Sequence, residues 1–315
     1  MKARFIRNLA ALYFCGASFA AQAQDAHRLY VEPDGWAIGI HAGLSDLWGN
    51  VGTQSPIDHW TNSKYFDKVA FMGGMLGRYN VHPCFGIRFQ LGYGSLYATD
   101  RWNYDKAKVS ATQGTDAFQR YARAQNAKDY IFEGQILAEL TPRRFNPEGR
   151  KAFKRGQPFV AMGIAYFHFT PYSTVGASPT WVKTYDLHLE GQGFGAGFPP
   201  SYSLWQFAVP LVIGYRWDLG QHLNLGIEYN FRYTFCKYLD GVSGKYVSQA
   251  DYDAHLSTSK AALAALVADK GYWYGLEQPN APGNFRGNPG FTDKFSTIAI
   301  TFYYKVNTRT ARWWH

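Results

Sequence analysis

Residues 224–235, NLGIEYNFRYTF, alternate without a break. Leu225, Ile227, Tyr229, Phe231, Tyr233 and Phe235 fall on one side of an extended chain, and Asn224, Gly226, Glu228, Asn230, Arg232 and Thr234 on the other. Such a period of two predicts a strand with one apolar and one polar face. Eight segments carry the pattern: Trp36–Trp48, Ala70–Asn80, Cys84–Leu96, Asp129–Pro142, Gln157–Pro171, Ser203–Leu219, His222–Tyr238 and Lys294–Lys305. Each is at least as long as the roughly 9–11 residues a tilted strand needs to cross a bilayer. Soluble strands are usually about half that length.

The connections alternate as well. VHP (81–83) and GQ (220–221) read as tight turns and Arg143–Gly156 as a moderate one, whereas 49–69, 97–128, 172–202 and 239–293 are long. Short turns at one end and long loops at the other are the pattern of an outer-membrane barrel with both termini in the periplasm. The expected fold is therefore all-β: an eight-stranded antiparallel transmembrane β-barrel whose long extracellular loops carry short helices. Two loop stretches, Thr115–Lys128 and Asp251–Lys270, have helical composition. In the second, Leu256, Leu263, Leu266 and Val267 point towards one face, suited to the barrel rim.

Trp36 and Trp48, and likewise Trp205 and Trp217, share a parity twelve residues apart. At about 3.3 Å per residue and a tilt of about 40°, that span rises about 30 Å, close to an apolar band with its aromatic girdles. Four ordinary core tryptophans are the alternative. On the final strand Ile298, Ile300, Phe302 and Tyr304 face lipid, and Thr297, Ala299, Thr301 and Tyr303 face the lumen. The same split sends Arg78, Arg88, Glu133, Glu139, Arg216, Glu228 and Arg232 inward. An interior of this size is only wide enough to be filled by side chains, so these charges read as a buried ion-pair lattice in preference to a conduit. Pro210 cannot donate to a ladder in a closed sheet, and a bulge is expected there.

The ends set the compartment. Lys2, Arg4 and Arg7 precede an apolar run from Leu9 to Ala21 that closes on Ala21-Gln22-Ala23, a secretory signal spanning residues 1–24 with the barrel domain at 25–315. The run is too short to span a bilayer, and Phe14 before Cys15 is too large for a lipobox. Loss of the leader takes three positive charges from a net +9, which leaves a mild excess. Of the remaining cysteines, Cys84 sits at the short-turn end and Cys236 towards the long-loop end. That separation rules out a disulfide and predicts two unbridged thiols.

Signals for catalysis are weak. His41, His168, His188 and His255 have acids nearby, but there is no Gly-x-Ser-x-Gly, no His-Glu-x-x-His and no metal-ligand spacing. Neither a catalytic residue, a metal site nor a cofactor is assigned, and nothing points to nucleic acid. The basic turn is more telling: Arg143, Arg144, Arg150, Lys151, Lys154 and Arg155 stand against one acid, Glu148. Such a cluster suits lipid phosphates and a protein-docking surface equally.

The stretch RYTFCKYLDGVSGKYV (232–247) resembles the PorG-type outer-membrane barrels of the type IX secretion system of Bacteroidota. Their strand ends in Arg-x-Thr-Phe before a Tyr-Leu-Asp-Asp-Val-Ser-x-x-Tyr-Val loop. The residues carrying the likeness are Tyr238, Leu239, Asp240, Val242 and Ser243; Glu190, Gly191, Gln192 and Gly193 in HLEGQGF; Arg286, Gly287, Asn288 and Pro289 in RGNP; and the last strand, DKFSTIAITFYYK. Gly241, Cys236 and Lys237 depart from the usual pattern, which puts any shared role of the loop acids in doubt. Gly191, Gly193, Gly241 and Gly244 are loop positions expected to take positive φ. The resemblance implies a non-enzymatic component of the secretion machinery in the outer membrane, with its lipids and the periplasmic ring proteins as partners. The basic turn is the candidate ring contact. The alternatives are a stand-alone barrel that binds or adheres through its loops, and a rim enzyme.

Overall fold

The computed structural model describes residues 35–53, 59, 69–82, 84–109, 115–141, 156–219, 222–271 and 280–306. Among them are nine strands: β1 Trp36–Trp48, β2 Ala70–His82, β3 Phe85–Thr99, β4 Asn126–Leu140, β5 Gly156–Thr174, β6 Trp181–Lys183, β7 Trp205–Asp218, β8 Leu223–Thr234 and β9 Lys294–Lys305. All pair antiparallel, and β4 pairs with β5 as well as β3, so eight of them close into a barrel. The short β6 lies outside the cylinder, paired with the top of β5 from Tyr172 to Thr174.

The wall forms because each strand satisfies its backbone on both sides while its side chains alternate between two environments. Ile38, Ile40, Met75, Leu91, Ile136, Met162, Ile164, Phe207, Leu211, Ile213, Ile300 and Phe302 are exposed outward, an apolar belt of the kind a bilayer covers. Along β8 the inward set of Asn224, Gly226, Glu228, Asn230, Arg232 and Thr234 is buried, as the alternation predicts. Phe235, beyond the end of that strand, is exposed outside. Trp36, Trp205 and Trp217 are exposed near strand ends, as girdle residues are. Trp48 differs: its ring stacks on His59 at 4.2 Å and its Nε1 donates to Ser296 Oγ at 2.9 Å.

Both described ends of the chain meet at one end of the barrel, where the Val306 N–H donates to Trp36 O at 2.8 Å. The β2–β3 and β7–β8 hairpins turn at that end. At the other end the long loops carry α1 Tyr104–Val109, α2 Asp116–Arg123, α3 Gln249–His255 and α4 Thr258–Ala268. The second predicted helical stretch is thus two helices, broken where Leu256 turns extended. Leu256, Leu263 and Val267 pack into an apolar cluster with Leu187, Leu189 and Tyr252, whereas Leu266 lies outside that cluster and is 39% exposed.

Pro210 makes no bulge. The β7–β8 register runs through Pro210↔Arg232 without a shift. On the other flank the pairs Met162↔Leu211 and Ala165↔Ala208 keep one register, and only the pairing between them lapses. A missing N–H is absorbed as a local gap in one ladder, which leaves the alternation of β7 intact. Neither Cys84 nor Cys236 is in a disulfide, and both are buried.

Candidate functional site

The lumen has two storeys. In the half nearer the chain ends, Glu139 lies 2.9 Å from Arg78 Nε and 2.8 Å from Arg216 Nη2, with Arg88 at 3.8 Å. Arg88 binds both oxygens of Glu228, at 2.8 and 2.9 Å, and donates to Gln90 Oε1 at 2.7 Å and to Tyr303 Oη at 3.3 Å. Above them Arg232 pairs with Glu133 and donates to Thr297 Oγ1 at 2.6 Å and Asn230 O at 2.8 Å. All seven predicted charges are brought together and buried. Four guanidiniums face three carboxylates here, and ring faces help hold the excess cation: Arg216 lies 4.6 Å over Phe159 and 5.0 Å over Tyr303.

The storey nearer the loops is apolar. Leu47, Met72, Leu96, Ile131, Phe167, Phe169, Phe295 and Leu239 form a buried cluster that continues into the loops. Loops and barrel therefore share one core, and the loops make a cap over the barrel mouth. The alternation does not mark this storey, because at that level of β5 the inward Phe167 and Phe169 are apolar while the outward His168 and Thr170 are polar, the reverse of the rule along the rest of the wall.

The motif residues build the cap. Glu190 accepts the backbone N–H groups of Ser243 and Gly244 at 2.8 and 2.5 Å and pairs with Arg286 Nη1 at 3.0 Å. Arg286 also donates to Gly241 O at 2.5 Å and Gln125 Oε1 at 3.1 Å. Gln192 Oε1 accepts the Glu190 N–H at 3.2 Å. Asp240 accepts the N–H of Val51 at 2.7 Å and of Val242 at 2.9 Å, while Asn50 Nδ2 donates to Val242 O and Asn50 Oδ1 accepts the Asn288 N–H. Leu239 and Val242 are in the shared core, Tyr238 packs against it, and Pro289 O accepts from Lys237 Nζ at 2.7 Å on the exposed side. A Cβ on Gly287 would sit 2.9 Å from Val242.

Gly191, Gly193 and Gly241 have φ of 72°, 85° and 69°, where side chains are strained. Gly244 departs from the expectation: it is not among the positive-φ residues, and a Cβ there would lie 2.9 Å from Glu190 Oε2. Its requirement is close approach to a carboxylate.

Several residues of the site lay outside the sequence expectations. Arg123 binds both oxygens of Asp100, at 2.8 and 2.7 Å, and donates to Asn50 O and Arg286 O. The buried ammonium of Lys270 donates to Asn126 Oδ1 and Ser173 Oγ, both at 2.7 Å, tying the loop after α4 to β4 and β5. Burial, with Arg286 nearby, pushes this ammonium well below the ordinary lysine range. Asp293 accepts the Leu239 N–H at 2.8 Å. Burial raises its carboxyl well above the usual range, and the neighbouring Asp240 adds to this. Burial likewise lifts Asp240 to about 6, although its two N–H donors oppose the shift. No local motif announces these residues, because their partners are far away in sequence.

Beside the network lies a polar cleft of about 450 Å³ between α2, the Asn50 turn and residues 280–288. The three arginines on it are each paired with an acid: Arg120 with Asp116, Arg123 with Asp100 and Arg286 with Glu190.

Of the histidines with acids nearby in sequence, His41 is in the lumen, where its Nε2 lies 3.2 Å from Leu91 O. His168 lies against Trp205, and His188 and His255 lie in the cap against Phe194. They do not meet one another, and among the described residues no group of His, Cys, Asp and Glu could hold a metal ion. The basic turn, Arg143, Arg144, Arg150, Lys151, Lys154 and Arg155, lies outside the described residues.

Comparison with protein families gave no match, and comparison with curated proteins gave none either. Among solved structures, the chain is similar to Neisserial surface protein A, with 8% identity, 86% of this chain and 97% of that one covered, and a TM-score of 0.35. The attachment invasion locus protein Ail of Yersinia pestis gives 9% identity, coverage of 86% and 98%, and a TM-score of 0.35. OprG from Pseudomonas aeruginosa gives 10%, 88%, 98% and 0.33. Likeness at this level carries nothing about ligands or partners. The closed sheet and its apolar belt are what make this chain an outer-membrane type of β-barrel.

Proposed function

We propose that the protein is a non-enzymatic outer-membrane component of the type IX protein secretion machinery, associated with its periplasmic ring. One observation carries the reading. The stretches that resemble PorG-type barrels bind one another in the cap: Glu190 accepts the Ser243 N–H and pairs with Arg286, 96 residues away, and Arg286 donates to Gly241 O. They are the residues a shared loop architecture requires. A lumen filled with ion pairs and an apolar storey suits an anchor better than a conduit. On this reading the cap faces the cell exterior, and the chain ends and the basic turn face the periplasm.

Deleting the gene should leave cargo proteins in the periplasm, and normal secretion refutes the proposal. Reversing Arg143, Arg144, Lys151 and Arg155 to Glu should abolish co-purification with the ring proteins. Undiminished co-purification removes the turn as the contact.

The polar cleft favours a second reading, a stand-alone barrel that binds through its loops. That reading predicts ligand binding with no secretion defect.

A further inference from the structure

We propose that the outer wall at the loop end of the barrel holds one membrane lipid with a phosphomonoester head. The phosphate sits between Lys128 and Lys183, and an acyl chain lies in the hollow below them. Strand register makes the head site. Tyr97 pairs with Lys128, Lys128 with Tyr172, and Tyr172 with Lys183. Directly paired residues point to the same side of a sheet, so these four form one row across β3, β4, β5 and β6. That side is the outer one. Tyr130, two residues along β4 from Lys128, is exposed on it, and the Trp181 ring of β6 reaches Tyr97 there at 6.0 Å between centroids.

The two lysines lie two strands apart, about 10 Å at the backbone, and their flexible stems can converge on one anion. Lys128 Nζ stands 4.7 Å from the Tyr130 ring centroid, Lys183 is exposed, and among the described residues neither ammonium has a carboxylate partner. Asp129, next to Lys128 in sequence, is buried on the lumen side. Unpaired cations at a membrane surface are favourable where lipid heads supply the negative charge. A phosphomonoester carries about −1.5 to −2 at pH 7, which matches two ammoniums. A phosphodiester, with one charge, leaves one of them unmatched.

The tail site adjoins the head site. Tyr130, whose ring carries Lys128, also lines an apolar hollow of about 380 Å³ in the outer wall. The hollow exists because Ala42, Gly73 and Ser95 present little or no side chain among the large Phe71, Tyr93 and Tyr130. Tyr93 borders it, and Leu91, two residues on along β3, borders a second apolar hollow of about 890 Å³ over Gly77 and Gly134. A gap on a lipid-facing wall forfeits dispersion contacts. A flexible hydrocarbon chain running down from the lysines fills both.

The test is native mass spectrometry of the full barrel in detergent micelles with lipid A, dephosphorylated lipid A, phosphatidic acid or phosphatidylcholine added. One adduct per barrel should persist with the two phosphomonoester lipids at collision energies that strip the other two. The longer-held of the pair tells a sugar-based lipid from a glycerol-based one. Lys128→Gln and Lys183→Gln should each weaken the adduct about fivefold, the worth of one lysine at an anionic lipid surface. Ala42→Leu puts an apolar side chain into the hollow on the lipid face and should also weaken it, with the heat-dependent gel shift of the folded barrel unchanged in all three variants. Equal retention of phosphorylated and dephosphorylated lipid A, an adduct unaltered in K128Q/K183Q or in A42L, or a protein dimer in place of the lipid adduct overturns the proposal.

Discussion

Arg286 and Glu190 stand 96 residues apart in sequence and 3.0 Å apart in the cap, both buried. Neither is solvated, so each depends on the other for charge compensation. The carboxylate in turn fixes the Ser243–Gly244 backbone, and the guanidinium fixes Gly241.

Replacing Arg286 by Met should therefore strand Glu190 without its counter-charge, at about 3–5 kcal/mol. The barrel wall does not rely on this pair, so the loss falls on the cap. Limited proteolysis should cut the loops around 190 and 240 in the variant and spare the wild type, while the heat-dependent gel shift of the folded barrel persists. Glu190→Gln keeps one acceptor and loses the charge, and should show weaker cleavage.

In the lumen, Glu139 faces Arg78, Arg216 and Arg88. Glu139→Gln should leave three guanidiniums without their shared anion and lower barrel stability by about 3–5 kcal/mol, read by urea unfolding in lipid vesicles. Planar-bilayer recordings of the wild type should show no sustained conductance, as a filled interior requires.

The wall was legible in the sequence because a strand between lipid and a polar lumen leaves a period of two. The bounds of β1 and β9 agree with the alternation at both ends, and the inward charges fall where parity puts them. Legibility fails where that contrast fails. Phe167, Phe169 and Phe295 face inward but look like lipid-facing residues, so the apolar storey stayed hidden. The loop motifs were visible as letters, yet their contacts were not, because Arg123–Asp100, Arg286–Glu190 and Asn50–Val242 obey no periodicity. The predicted bulge at Pro210 did not form because one ladder could give up its bonds locally without shifting register.

That gap supplies a second stability test. Pro210→Ala restores an N–H where the β5–β7 pairing lapses, with Ala165↔Ala208 and Met162↔Leu211 in register on either side. The variant should gain about 0.5–1.5 kcal/mol, the worth of one ladder bond, in the same vesicle unfolding experiment.

The acids of the cap predict a pH response with an unusual sign. A Cβ added at Gly49 would lie 2.3 Å from Asp240 Oδ2 and 3.2 Å from Asp293 Oδ1, so the two carboxylates converge on one glycine. Asp293 Oδ1 has no hydrogen-bond partner. Burial holds Asp240 at about 6 and raises Asp293 as well, so both bind protons more tightly in the folded cap than in the unfolded chain. Folding then takes up protons, and stability falls as pH rises from the ordinary carboxyl range through about 6. For Asp240 alone the shift from 3.8 to about 6 corresponds to about 3 kcal/mol. Amide exchange in residues 239–247, corrected for intrinsic rates, should thus show stronger protection at pH 5 than at pH 7. Asp293→Asn keeps an acceptor for the Leu239 N–H, removes the like charge and presents an amide donor towards Asp240. It should raise protection at pH 7 and flatten the pH dependence. Weaker protection at pH 5 than at pH 7 in the wild type would show that these carboxyls are ionised at no cost in the folded cap.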